Sequence, residues 1–200
     1  MRMPSIALPT GPYDWRPIEA PRAIFEQRVA LLRGIMAARG ISHGVVHGNC
    51  FDHASLLWLA HFTPKLGPAW LLVGPGESLR MVFAGGPGMK SSAQALTWVS
   101  DVAALRGIEK DMQAWLAQSP LGASARVGLV AGRAMLRGDW LAVERAAQGP
   151  IEVLDEALEG PRAASERDDP AAIALFWWNH HVLDGRRQGG DPPWFWRAVR

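Results

Sequence analysis

The chain has 200 residues, 48% of them hydrophobic, and a formal net charge of +2, which is enough apolar material for one sizeable core and too much for a chain disordered throughout. Residues 176–200 carry Arg186, Arg187, Arg197 and Arg200 against Asp184 and Asp191, so the body before them is electrically balanced. A balanced body has no electrostatic footprint for nucleic acid or an anionic membrane surface.

Residues 1–20 hold Pro4, Pro9 and Pro12 where a secretory signal needs an unbroken apolar stretch, and they read as an extended leader. No run approaches the roughly 18 apolar residues of a membrane span. After Pro21, the residues Phe25, Val29, Leu32 and Met36 recur at helical spacing and Gly40 follows as a stop, which predicts an amphipathic helix over 21–39. ISHGVV then reads as a strand, and Asp52 is placed to cap a short helix through HASLLWLAHF. Thr63 to Pro68, with two prolines and a glycine, must be a loop. AWLLVG and LRMVFAG are strand-length apolar runs joined at Pro75 and Gly76, a predicted β-hairpin. A short TWVSDV precedes a helix through Leu105, Ile108, Met112 and Trp115, and RVGLVA is a buried strand. Leu136, Trp140 and Val143 are expected to face one way along the next helix, and IEVLDE closes as a strand. Helices alternating with apolar strands, plus one hairpin, predict an α/β domain with a mixed β-sheet flanked by helices.

Several motifs that would carry chemistry fail on register. AGGPGMKSS, from Ala84, brings Gly, Lys and Ser together after a strand, but a phosphate loop needs glycine at 84 and 89 and finds Ala84 and Met89. GASAR around Ser124 lacks the second glycine of a nucleophile elbow. Cys50 is the only cysteine, so no intramolecular disulfide or multi-cysteine metal site can form, and a reducing cytoplasm suits the chain. His47, His53 and His61 flank Cys50 and Asp52, enough on paper for a metal site or a Cys-His nucleophile. On a helix, however, His53 and His61 stand about 12 Å apart along the axis, too far to share one ion unaided. The plainer reading makes Cys50 a buried small residue and these histidines loop or helix-end residues. His180 and His181 are adjacent and do not match a two-histidine zinc spacing. Trp58, Trp70, Trp98, Trp115 and Trp140 fall in predicted elements and read as core, whereas Trp177, Trp178, Trp194 and Trp196 belong to no such pattern.

The run VVHGNCFDHASLLWLAHFTPKLGPAWLLVGPGESLRMVF resembles the start of the creatinase and prolidase family, which includes the Xaa-Pro aminopeptidases. SLLWLAHF stands where the family has an NLxYLTGF-type segment, with Ala60 and His61 where it often has Thr and Gly. TWVSDV resembles the family's Trp and Asp-Val phrase, RVGLVAGRAM its xxGxxG strand, and the stretch from IEVLDE to AAIAL its passage into LRxxKSxxEIxxxR. The resemblance covers residues 21–175 and lies in element order more than in invariant residues. It implies the family's ribonuclease H-like N-terminal domain over 21–162, followed at 163–175 by the start of a connecting helix. It also implies that the chemistry belongs to a separate C-terminal domain, where two Asp, one His and two Glu hold a pair of divalent metals. No cofactor is then expected in this chain, and its expected partners are a second copy, as a homodimer, and the missing catalytic domain.

After Leu175 the helical period stops and Trp, Arg, Gly and Pro take over. Only three of the basic residues, Lys65, Lys90 and Lys110, are lysine, a bias that goes with a GC-rich coding sequence, and the tail 176–200 is expected to be an out-of-frame translation of such DNA. The competing expectation is a real segment whose tryptophans anchor it on the body or on a second subunit. Two functions follow. The first is a non-catalytic accessory domain that mediates oligomer contacts and shapes access to an active site elsewhere, with His61, Lys65 and Lys90 as substrate-gating residues. The second is a stand-alone binding module in which the loop Thr63 to Pro68 and the stretch Gly85 to Ser92 form a pocket, with Lys65 and Lys90 gripping a carboxylate. A Cys50-dependent enzyme is a third reading.

Overall fold

The computed structural model describes residues 22–65, 67–119, 121, 124–130 and 135–166. The leader, the tail and the start of the connecting helix beyond Glu166 therefore lie outside the described residues.

Six strands form one sheet: β1 (His43–Gly48), β2 (Ala69–Val73), β3 (Leu79–Phe83), β4 (Asp101–Ala104), β5 (Val127–Val130) and β6 (Ile151–Val153), in the order β4-β3-β2-β1-β5-β6. β2 pairs antiparallel with both β1 and β3, while β3–β4, β1–β5 and β5–β6 are parallel, so the sheet is mixed as the sequence predicts. Every residue of β1, β2 and β5 is buried, which matches their continuous apolar runs. One face of the sheet packs on α1 (Arg22–Ala38), α2 (Ala54–Ala60), α3 (Lys90–Ala95) and α6 (Asp155–Glu166); the other packs on α4 (Ile108–Leu116) and α5 (Arg137–Ala147).

The helix predicted over 21–39 is α1, and its buried stripe is the predicted Phe25, Val29, Leu32 and Met36, with Arg28 added. Gly40 ends it at φ +65°, and the amides of Gly40 and Ile41 donate to the carbonyls of Ala37 and Met36. That is a Schellman stop, and Met36 and Ile41 at its two ends both belong to the apolar core on that face of the sheet. The predicted hairpin is β2–β3, with Gly76 at φ +60° in its turn and Arg33 of α1 donating to the carbonyls of Gly74 and Ser78.

Glycines on β1 and β5 let helices and loops approach the sheet. A Cβ on Gly44 would lie 2.9 Å from Met36 Sδ, and one on Gly48 would lie 3.0 Å from Leu56. At Gly128 of β5 the clash is tighter, 2.6 Å to Leu154 Cδ1 and 3.1 Å to Ile41 Cγ2, and both partners are buried core residues. Gly128→Val is expected to lower stability by about 1–3 kcal/mol through overpacking, read as a lower urea midpoint.

Five details differ from the sequence reading. Asp52 does not cap α2; His53 occupies the N-cap position without a side-chain cap bond, and Asn49 organises the approach by accepting the Phe51 and Asp52 amides on its Oδ1. α3, with a 3-10 turn over Pro87–Met89 before it, is a helix that the sequence reading did not predict, starting inside the Gly85 to Ser92 stretch. Leu105 precedes α4 and donates its amide to Phe83, extending the sheet instead. Leu136 is the exposed N-cap residue of α5, whose buried side is Val143, Ala146 and Ala147. IEVLDE is strand only to Val153, and α6 begins at Asp155, so this helix crosses the boundary drawn at residue 162. Of the tryptophans read as core, Trp58, Trp70 and Trp115 are buried, and Trp98 and Trp140 pack partly exposed against it.

Candidate functional site

The chemistry-bearing side chains of β1 do not gather into a site. His43 and His47 point to the α4/α5 side of the sheet, His43 edge-on to Trp115 at 5.0 Å and His47 tilted on Trp70 at 4.6 Å. His47 is thus a buried strand residue, not a loop residue, because its ring fills the space beside Trp70 in the antiparallel register of β1 and β2. Cys50 is exposed, contrary to the expectation of a buried small residue, since it stands in the turn between β1 and α2 that Asn49 folds outward. His53 and His61 do stand at the two ends of α2. Among the described residues no three His, Cys, Asp or Glu side chains come close enough to hold a metal ion.

The C-terminus of α2 is tied to other elements by three side-chain hydrogen bonds. A helix end leaves its last carbonyls without intrahelical partners, and here those of Trp58, Leu59 and Ala60 find them in other elements. Arg28 Nη1 donates to the Trp58 carbonyl at 2.9 Å, Trp98 Nε1 to Leu59 at 2.8 Å, and the Thr97 hydroxyl to Ala60. The His61 amide closes the helix on Leu57 at 2.9 Å. His61 itself has φ 55° and ψ 40°, the left-handed conformation that glycine adopts without strain.

The His61 ring lies 5.3 Å from Phe25, which stacks at 6.2 Å on Trp98. Arg28 lies over both Phe25 and Trp58, at 5.1 and 5.2 Å from their centroids. Burial, with the Arg28 charge in second place, pushes the His61 imidazole down to about pKa 4, so it is neutral at physiological pH. Arg28 was missed by the sequence reading, although an arginine inside the apolar stripe of α1 was a visible signal.

The chain leaves His61 through buried Phe62, which packs on Phe83 at 6.3 Å, and then forms one wall of a cleft of about 80 Å³. The described parts of the loop from Thr63 to Pro68 line one side, and Met89 and α3 line the other. The two segments nominated from sequence as pocket walls are therefore brought together. Of the three nominated gating residues, Lys65 lies on this cleft, exposed. His61 is adjacent in sequence to its wall, and Lys90, exposed at the first position of α3, is not part of the lining.

No family model matches the chain, and no curated protein matches it. Solved structures do. The chain is similar to a proline dipeptidase from Streptococcus pneumoniae at TM-score 0.54 and 11% identity, over 68% of this chain and 96% of that one. It is similar to the creatinase/prolidase N-terminal domain of an X-Pro dipeptidase from Streptococcus pyogenes at TM-score 0.53 and 12% identity, over 67% and 98%. Against the prolidase of Pyrococcus horikoshii the TM-score is 0.50 at 13% identity, over 66% of this chain and 33% of that one, so the match spans a third of the longer protein. Identities this low speak for the fold alone. With the mixed six-stranded sheet and its two helical layers, they establish that the chain has the fold of the creatinase/prolidase N-terminal domain.

Proposed function

We propose that the chain is a non-catalytic accessory domain of an Xaa-Pro peptidase- or prolidase-like metallohydrolase. In this reading it mediates contacts in a homodimer and shapes access to an active site carried, with its divalent metals, by a separate C-terminal domain. The observation that supports it is the extent of the likeness: nearly the whole of the Streptococcus pyogenes N-terminal domain, but a third of the Pyrococcus horikoshii prolidase. The rigid end of α2 suits a gate, because four carbonyl partners fix the backbone from which His61 and the Lys65 loop project. An exposed, single Cys50 suits a reducing cytoplasm.

Light scattering of the purified chain and a proline-release assay on Xaa-Pro dipeptides with added Mn²⁺ test this together. The expected result is a mass of two chains and no hydrolysis above the buffer rate. Metal-dependent hydrolysis by the isolated chain would overturn the accessory reading, and a single-chain mass at tens of micromolar would remove the dimer from it.

A further inference from the structure

We propose that the cleft between the described residues of the Thr63–Pro68 loop and α3 is a binding site for a small aliphatic carboxylate. Its walls are apolar, formed chiefly by Phe62, Pro64, Phe83, Met89 and Leu96. At about 80 Å³ it falls well short of the roughly 300–1,000 Å³ of sites for drug-sized ligands and cofactors, and it has room for one short aliphatic group. A ligand with an apolar end alone would gain nothing from the rim, where the polar groups are one cation and two hydroxyls, Lys65, Thr63 and Ser92, with no carboxylate among the described lining.

None of these three side chains is committed elsewhere. Lys65 makes no ion pair and Thr63 and Ser92 make no side-chain hydrogen bond among the described residues. This contrasts with Arg22, which pairs with Glu26, and Arg80, which pairs with Asp101. An unpaired ammonium and two unengaged hydroxyls over a small apolar cavity complement one chemistry, a carboxylate on a short aliphatic group, with the ammonium as a point charge on a flexible stem. The cavity floor is held by the anchored end of α2 through Phe62 and by Phe83 of β3, so the apolar half of the site is preformed. The inference is independent of the accessory role.

The test is a methyl NMR titration of the full 200-residue chain with valerate and valeramide, and with acetyl-Gly-Gly-Val as free acid and amide. Valerate is expected to shift the Met89 and Leu96 methyls saturably in the millimolar range, with valeramide about fivefold weaker, as suits one exposed charge. Lys65→Met should reduce valerate to the valeramide level. Ser92→Phe, at an exposed position on the rim, should block both ligands while leaving the distant Leu72 and Leu129 methyls unmoved. Tighter binding of the peptide acid than of valerate would identify a chain end as the source; exclusion of the peptide would identify a free acid. The absence of saturable shifts, or valerate binding unchanged in Lys65→Met, would overturn the proposal. Neither readout depends on dimer mass or peptidase activity, so its failure is distinguishable from failure of the accessory reading.

Discussion

Replacing Trp70 with alanine is expected to lower the free energy of unfolding by about 3–5 kcal/mol, the largest loss among the substitutions considered. Trp70 is fully buried in the middle of β2, opposite His47 of β1 and Val82 of β3, and it belongs to the core shared with α4 and α5. Truncation would leave a cavity between the sheet and the α4/α5 layer, on strands that are hydrogen-bonded on both sides and cannot collapse into it. Trp70→Phe is expected to cost far less, about 1 kcal/mol. The reason is polar: Trp70 Nε1 is buried with no hydrogen-bond partner among the described residues. A buried donor left unmade costs about 1–3 kcal/mol, so phenylalanine recovers that penalty while giving up only part of the ring contact. Urea unfolding followed by far-UV circular dichroism gives both values; a Trp70→Phe loss approaching that of Trp70→Ala would mean that removing the unpaired indole N–H recovers nothing.

What could be read in the sequence was whatever local periodicity and turn chemistry decide. The stripe of α1, its glycine stop, the hairpin at Pro75 and Gly76 and the buried β5 are each set within a dozen residues, by apolar spacing or by a left-handed glycine. The misses are long-range. Nothing near Arg28 in the chain reveals that its guanidinium will be used by a carbonyl thirty residues on, at the end of α2. Asp52 has the right chemistry for a cap, but Asn49 three residues earlier wins the local competition for the amides of the turn. α3 was hidden because Pro87 and its glycines dominate the composition of the stretch that leads into it. For the candidate cleft, the two walls and Lys65 were legible from loop composition. The exclusion of Lys90 was not, since it depends on which side of a helix the sequence did not disclose faces the loop.

Stability is expected to fall by about 3 kcal/mol between pH 7 and pH 4 because of His61. Its imidazole is pushed down to about 4 in the folded chain, first by burial and then by Arg28, against an ordinary value of 6.5. Between those values the unfolded chain binds a proton that the folded chain refuses, so stability rises with pH across the window and is complete above about 6.5. Below about pH 4 both states are protonated and the contribution of this group becomes flat. His43 is shifted in the same direction by burial, so a smaller slope should remain when His61 is removed. His61→Asn is the informative variant, because asparagine tolerates the left-handed backbone at φ 55° and does not titrate. Its denaturant midpoint should vary much less than wild type from pH 7 to pH 4, although at pH 7 it gives up the ring's contact with Phe25. A titration of the His61 ring by NMR provides the direct check. A midpoint near 6.5 would mean that the ring is solvated and that the Phe25, Arg28 and Trp98 cluster does not close over it.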